Sequence, residues 1–236
     1  MNPHPTPTEV CLVVGAGDAT GGAIARRFAR EGLHVVASRR RGDLSRFVAD
    51  IEAAGGSATA VHSDARDEDS VRALVAKAEQ IGPITACIFN IGGNVRFPIA
   101  ETSAQVYRKV WEMCAFAAFL VGREVVEPMR KRGRGTLLFT GASASLRGNT
   151  GFAAFAGGKH ALRALAQSMA RELGPEGVHV AHIIIDGLIN QGPVPRHVRG
   201  AHAGRHPSSR RYRRGLLATA QAATQRMDLR NGPASL

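Results

Sequence analysis

The sequence predicts one α/β domain built on a doubly wound parallel sheet with helices on both faces. Six short runs are apolar throughout, as strands buried on both faces are, and amphipathic helical patterns alternate with them. Strand–helix–strand units of this kind cross over with right-handed connections, which arrange the strands in a doubly wound order. No internal repeat or linker interrupts the pattern before residue 190.

The elements follow one another in a regular order. The first strand, EVCLVVGAG, runs into glycines, and the amphipathic helix after it stops at Gly32. The second helix ends in a Gly-Gly pair, and the fourth is the longest helical pattern of the chain. Strands are predicted at 9–17, 34–38, 58–64, 84–93, 135–143 and 178–187. Helices are predicted at 20–32, 43–56, 68–82, 103–133 and 152–173.

Composition limits the class of protein. No run reaches the roughly 18 apolar residues that a membrane span needs, and the start of the chain lacks the features of a signal peptide. The cysteines are three and widely separated, so neither a disulfide framework nor a metal site is predicted. We therefore expect a cytoplasmic protein of ordinary hydrophobic content.

Basic and acidic residues are unevenly distributed along the chain. Residues 190–236 hold nine of the 31 Lys and Arg residues but one of the 19 acidic residues. We predict a disordered lead-in at 1–8, a domain at 9–190 and a basic segment at 191–236. A helix at 216–226 and a strand at 227–230 are compatible with the end of that segment. The Arg-rich stretch could bind nucleic acid, although a solvated loop gives the same pattern and a diverged or frame-altered segment is also compatible.

A glycine-rich turn joins the first predicted strand to the first helix. In GAGDATGG, glycines let the backbone turn sharply and approach a pyrophosphate, whose charge is favoured at a helix N-terminus. The candidate residues of this phosphate site are Gly15, Gly17, Asp18, Thr20 and Gly21. A tight turn without a ligand would show the same glycines, and the position after the first strand favours the phosphate site.

The end of the second strand indicates which dinucleotide is bound. An acidic residue there would bind the ribose hydroxyls of NAD, whereas this chain has Ser38, Arg39 and Arg40. Arginine suits the 2′-phosphate, so the predicted cofactor is NADP(H), with a solvated basic turn as the alternative. Asp64 ends the third strand, at the edge of the sheet where ligands collect.

These motifs, in this order, resemble the short-chain dehydrogenase/reductase family, which has a Rossmann fold. VGAGDATGG is similar to the family's TGxxxGxG turn, with Ala19 replacing the middle glycine. HSDA resembles the segment beside the adenine, FNIGG the NNAG motif, and IIIDGLIN the PG motif beside the nicotinamide. The resemblance therefore assigns cofactor-binding roles to Asp64, Ala65, Asn90, Gly92, Gly187 and Ile189.

The same resemblance implies that the catalytic tetrad is degenerate. The family uses Asn, Ser, Tyr and Lys, and those positions fall on Cys114, Ala142, Phe155 and Lys159, with Ser143 beside the serine position. In the family the tyrosine transfers a proton, the lysine lowers its pKa and binds the ribose, and the serine bonds the substrate oxygen. Phenylalanine has no proton to give, so hydride transfer on a carbonyl/alcohol substrate should be impaired or atypical.

Alternatives remain open at this point. Ser143 or Ser145 could replace the serine, while His160 points about 100° from Lys159 on a helix and Tyr107 has no spacing in its favour. A second hypothesis is a catalytically silent NADP-binding sensor or scaffold, and a third is a nucleic-acid-associated protein. The family resemblance also implies a homodimer or homotetramer built on the two longest helices.

Overall fold

A computed structural model of the chain describes residues 8–17 and 19–186. Within them lies one sheet of six parallel strands, in the order β3-β2-β1-β4-β5-β6. The predicted doubly wound α/β fold is confirmed. The strands are β1 (Val10–Val14), β2 (His34–Arg39), β3 (Ser57–His62), β4 (Ile84–Phe89), β5 (Gly135–Ala142) and β6 (Val178–Ile185).

Helices connect the strands and cover the sheet. Two of them begin with a capping side chain: Asp67 accepts from the Ser70 amide before α3, and Ser103 accepts from the Val106 amide before α4. The helices are α1 (Thr20–Arg30), α2 (Ser45–Ala53), α3 (Glu68–Ile81), α4 (Ala104–Trp111), α5 (Ala117–Arg132) and α6 (Ala153–Leu173).

The prediction of a single helix at 103–133 is wrong in one respect. A π-helical turn, Glu112–Phe116, separates α4 from α5. The apolar period continues through this turn, so periodicity alone does not reveal the extra residue in it. The turn places Cys114 at its centre, fully buried.

Two strands are shorter than predicted, and the difference positions the site. β1 ends at Val14 and β4 ends at Phe89, so the glycine-containing stretches after them form loops at the carboxyl edge of the sheet. β1 pairs with β2 on one side and β4 on the other. The strand order therefore reverses beside β1, which is where ligands bind in open α/β sheets.

The core lies between the sheet and its helices. Its largest cluster includes Leu12, Phe89, Phe139 and Leu162, all buried. Among the described residues, no helix combines the length and apolar character needed to cross a membrane.

Aromatic side chains form a partly exposed stripe along α4 and α5. Trp111 stacks on Phe116 with ring centroids 6.2 Å apart, and Phe116 stacks on Phe119 at 6.4 Å. Trp111 and Phe119 each remain about two fifths exposed. The homo-oligomer built on this stretch and on α6 stays a prediction.

A charged clamp ties α3 and α5 to the amino end of β4. The two guanidinium Nη atoms of Arg132 donate to Glu79 Oε2 at 2.7 Å and Oε1 at 2.9 Å, and Nη2 also donates to the Ile84 carbonyl at 3.0 Å. Glu79 Oε1 in turn accepts from the Ile84 amide at 3.0 Å. Both side chains are about three quarters buried, so the clamp is poorly screened by solvent.

Glu79→Gln should lower the free energy of unfolding by about 1–3 kcal/mol, since it weakens charge-assisted hydrogen bonds and leaves Arg132 without its counterion. The matched control is Glu127→Gln, which removes a partner of the exposed Lys131 and should cost less than about 0.5 kcal/mol. Denaturant titration of both variants measures the difference. Equal losses would show that the clamp does not stabilise the junction.

Candidate cofactor and catalytic site

The turn after β1 is held against the end of β4 by backbone contacts. Gly15 has φ +91°, and a Cβ there would lie 2.6 Å from the Asn90 carbonyl oxygen. The amides of Gly15 and Ala16 donate to the Ser38 carbonyl at 2.8 and 2.9 Å. Only glycine allows both this φ and this close approach, which explains why position 15 is a glycine.

Gly21, in the first turn of α1, packs against the same turn. A Cβ there would overlap the Gly15 carbonyl oxygen and lie 2.9 Å from Asn90 Nδ2. Asn90 Nδ2 donates to the Gly15 carbonyl at 3.1 Å, and the Asn90 amide donates to Val14 at 2.8 Å. Asn90 therefore joins the end of β4 to the glycine turn.

The other glycines of the turn have different roles. Gly17 does not have a left-handed φ, and a Cβ there would meet nothing within 4 Å. Gly22, which sequence reasoning missed, would place a Cβ 2.6 Å from the Gly17 carbonyl oxygen. Thr20 begins α1 and is half-buried, while Asp18 lies outside the described residues.

The end of β2 brings three predicted residues beside the glycine turn. Ser38 is buried, and its hydroxyl makes no hydrogen bond with any described residue. The Arg39 guanidinium donates to the carbonyls of Gly42 and Asp43. Arg40 is exposed, with Nη1 3.7 Å from Asp64 Oδ2.

Asp64 follows β3 and is paired with an arginine that the sequence did not single out. Arg66 donates from Nε and Nη2 to the two carboxylate oxygens at 2.9 and 2.6 Å, and its amide donates to Oδ1 at 3.1 Å. The side-chain hydrogen bonds from Arg66 lower the pKa of Asp64 to about 2, against the effect of burial. Ala65 is buried in the main core cluster beside this pair.

Lys159 joins three elements at the carboxyl edge. Its side chain is 4% exposed, and Nζ donates to the carbonyls of Thr140 at 2.7 Å and Ile91 at 3.1 Å. No described residue accepts its third N–H. Burial lowers the pKa of Lys159, and the nearby Cys114 acts in the opposite direction.

Phe155 lies one helical turn before Lys159 and packs in a small apolar cluster. It is 9% exposed, and its neighbours include Ala144, Cys114 and the half-buried Ala142. A Cβ on Gly92 would lie 3.4 Å from Lys159 Nζ and 3.8 Å from Phe155 Cε2. The structure therefore brings Gly92, Phe155 and Lys159 together, as expected.

Cys114 is packed between the π turn and α6. A Cβ on Gly158 would lie 2.9 Å from Cys114 Cβ, so glycine allows the two helices to approach. Burial raises the pKa of the Cys114 thiol, opposed by the charge of Lys159 and a hydrogen bond from the Gly93 backbone. The thiol is thus neutral at ordinary pH.

The turn after β5 contains the remaining candidates. Ala142 ends the strand, and its amide donates to Ser145 Oγ at 3.2 Å. Ser145, one of the alternatives, is fully buried, and its hydroxyl contacts the Ala142 amide and His182. Ser143 is half-buried, and its hydroxyl makes no hydrogen bond with a described residue.

The two remaining alternatives, His160 on α6 and Tyr107 on α4, lie elsewhere. His160 is exposed and its Nδ1 lies 2.8 Å from the Ala156 carbonyl oxygen, so it stays on its own helix. A Cβ on Gly157 would lie 2.6 Å from the Tyr107 hydroxyl. Position 157 points about 160° away from position 155 around the helix, so Tyr107 is not beside Phe155.

Comparison with known proteins gives the same assignment as the geometry. The sequence model of the short chain dehydrogenases matches residues 9–190. The chain belongs to the short-chain dehydrogenase family.

Individual relatives extend this finding. A 1-deoxy-11-beta-hydroxypentalenate dehydrogenase of Streptomyces exfoliatus is 36% identical over 179 residues, which is 74% of this chain and 65% of the relative. The chain thus spans just under two thirds of that relative's length. A short-chain dehydrogenase from Rhodopseudomonas palustris has a crystal structure with TM-score 0.73 and 53% identity, over 76% of this chain and 85% of that one.

A third comparison involves a structure that contains a cofactor. An actinorhodin polyketide ketoreductase variant, solved with NADPH, is 28% identical with TM-score 0.72, over 75% of this chain and 69% of that chain.

Some of the predicted positions fall in the last part of the chain. Gly187, Ile189 and the basic segment at 191–236 lie outside the described residues, as do the helix and strand predicted within it.

Gly21→Ala should destabilise the fold and weaken binding of a nicotinamide cofactor, because the added methyl overlaps the Gly15 carbonyl and displaces Asn90. We expect a loss of about 1–3 kcal/mol in the free energy of unfolding. Thermal melting and NADPH fluorescence titration measure the two effects.

The matched control is Gly148→Ala, at an exposed position where φ is not left-handed and the atom nearest to an added Cβ is Ala156 Cβ at 4.0 Å. It should leave both measurements unchanged. If Gly21→Ala behaves like this control, the glycine turn does not need the close approach.

Proposed function

We propose that the chain binds NADP(H) and transfers hydride slowly between it and a carbonyl/alcohol substrate. The observation that supports this proposal most is the position of Lys159. Its ammonium is held by two carbonyls, keeps one N–H free of described partners, and lies beside Gly92 at the edge where the strand order reverses. Such a cation is placed to bind a ribose hydroxyl whether or not a tyrosine is present.

The described residues fit a dinucleotide. The amides of Gly15, Ala16 and Gly17 already donate to carbonyls of the fold, so the amino-terminal turn of α1, which has no capping side chain, is the part of this turn that would bind a pyrophosphate. The unpartnered hydroxyl of Ser38 and the exposed Arg40 stand at the end of β2, where the adenosine phosphate would lie. The cofactor, when bound, supplies the hydride, and these residues orient it.

Proton transfer is the weak point of the site. Phe155 has no ionisable hydrogen, and Ala142 has no hydrogen-bonding side chain. Loss of a general acid lowers rate by about 10²–10⁴, so turnover should be slow rather than absent. Ser143, whose hydroxyl has no described partner, is our candidate for the hydrogen bond to the substrate oxygen.

A second candidate function is cofactor binding without turnover. The apolar cluster around Phe155 supports it, because its members, apart from the buried thiol of Cys114, carry no group that could donate a proton to a substrate. In that case the chain is an NADP(H) sensor or scaffold, and a homo-oligomer through the aromatic stripe remains part of the proposal. Nucleic-acid binding would depend on residues 191–236, outside the described part.

Arg40→Ala should weaken NADP(H) binding roughly 10–100-fold and leave NAD(H) binding unchanged, since the 2′-phosphate loses a charged partner. Calorimetric titration with both cofactors measures this. Arg171→Ala, which removes the same charge at the exposed end of α6, is the control and should change neither affinity. Equal affinity of the natural sequence for both cofactors would exclude the preference for NADP(H).

Phe155→Tyr should raise turnover on a panel of ketones and quinones, by up to about 10²–10⁴, because it adds a hydroxyl beside Lys159. Ala142→Ser should add to the gain. Phe152→Tyr adds the same atom one helical turn earlier in the same cluster, and should give no gain.

A measurement of NADPH affinity distinguishes the two candidate functions from a site that binds no cofactor. Binding without turnover in every variant would support the sensor. Absence of both would reject the proposal.

A further inference from the structure

A pair formed by the half-buried His182 and the buried Ser145 lies beside the turn that carries Ser143. His182 Nε2, on β6, is 3.4 Å from Ser145 Oγ, although the residues are 37 apart in sequence. A Cβ on Gly141 would overlap the imidazole and lie 3.0 Å from Ser145 Oγ. Glycine at 141 therefore makes the space in which the two side chains meet.

Hydrogen-bond capacity determines the direction of this contact. Ser145 Oγ already accepts from the Ala142 amide at 3.2 Å. Its hydroxyl is fully buried, and among the described residues one further hydrogen-bond partner is within reach, His182 Nε2. The proton of a buried hydroxyl needs an acceptor, so Ser145 donates to Nε2. Neutral His182 then carries its proton on Nδ1.

The surroundings keep this histidine neutral. Burial, followed by the charges of Lys159 and Arg163 on α6, lowers the pKa of His182 to about 4. Gly141 and Ser145, which contact it from β5 and its turn, are not titratable. A protonated imidazole could not accept from Ser145, so this direction of the hydrogen bond holds at neutral pH, and in acid Nε2–H would instead donate to Ser145 Oγ.

We propose that His182 is a positioning residue, which acts through Ser145 to fix the Ala142–Ser145 turn and hence the hydroxyl of Ser143. The chain of contacts runs from His182 Nε2 to Ser145 Oγ to the Ala142 amide, the position where the family has its serine. Ser143 follows Ala142 directly, so the position of its hydroxyl depends on how this turn is held. The catalytic half of this inference rests on the proposed function.

The structural half is tested without turnover. Amide exchange at Ala142, measured by NMR in the full chain, should quicken in Ser145→Ala and His182→Ala. It should stay near wild type in His182→Gln, whose amide oxygen can accept from Ser145. Ring ¹⁵N spectra should show the Nδ1–H tautomer of His182 at pH 7. Unchanged exchange in His182→Ala, or the Nε2–H tautomer, overturns the proposal.

The catalytic half is tested in the Phe155→Tyr background. Ser143→Ala should lower kcat by about 10²-fold or more, as loss of an oxyanion partner does. His182→Ala should lower kcat by up to about 10²-fold through misplacement, with KM and NADPH affinity unchanged, and His182→Gln should restore it.

Failure of the two halves can be told apart. An unaltered kcat in His182→Ala refutes positioning, even where the Ala142 exchange has changed. Turnover absent from every variant, with NADPH still bound, refutes the catalytic half together with the proposed oxidoreductase activity. The hydrogen-bond pair is then judged by exchange and tautomer alone.

Discussion

Direct backbone contact between the β1–α1 turn and the end of β4 sets the geometry of the carboxyl edge. A side chain at Gly15 or Gly21 would occupy the space of a carbonyl oxygen or of Asn90, so these elements touch only because both residues are glycine. The Asn90 side chain then bonds the turn that passes over it. Everything placed by β1 and β4, including the crevice where the strand order reverses, follows from this contact.

Lys159 makes a second link, and it does not depend on the missing tyrosine. Its ammonium bonds carbonyls that follow β4 and lie within β5, so α6 is joined to two strands by one buried cation. Loss of the hydroxyl at position 155 therefore leaves the lysine in place. In the proposed function, the chain therefore keeps a cation that could hold a cofactor although position 155 has no hydroxyl.

The sequence predicted the sheet, the helices and the glycine turn because those signals are local. Apolar runs identify β1 to β6, and the spacing of Gly15 and Gly21 after a strand identifies the turn. The π turn was not predictable, since the apolar period of α4 and α5 continues across it. The pairs Arg66–Asp64 and His182–Ser145 were missed for different reasons. The first is a surface ion pair hidden among many charges, and the second depends on the register of β5 against β6.

The three positions that the proposal assigns to the family's tyrosine, serine and asparagine are physically coupled. Phe155, Ala142 and Cys114 belong to one apolar cluster, where a single tyrosine, serine or asparagine would bury a polar group without its usual partners. Polar networks of this kind are stable when complete, and a partial network is worse than an apolar core. Position 155 differs from position 142, because the Phe155 ring and Lys159 Nζ both approach Gly92, so an added hydroxyl at 155 would have a cation nearby. A hydroxyl can therefore be added at position 155 first. The apolar packing at 142 and 114 then determines how much proton-transfer activity that hydroxyl restores.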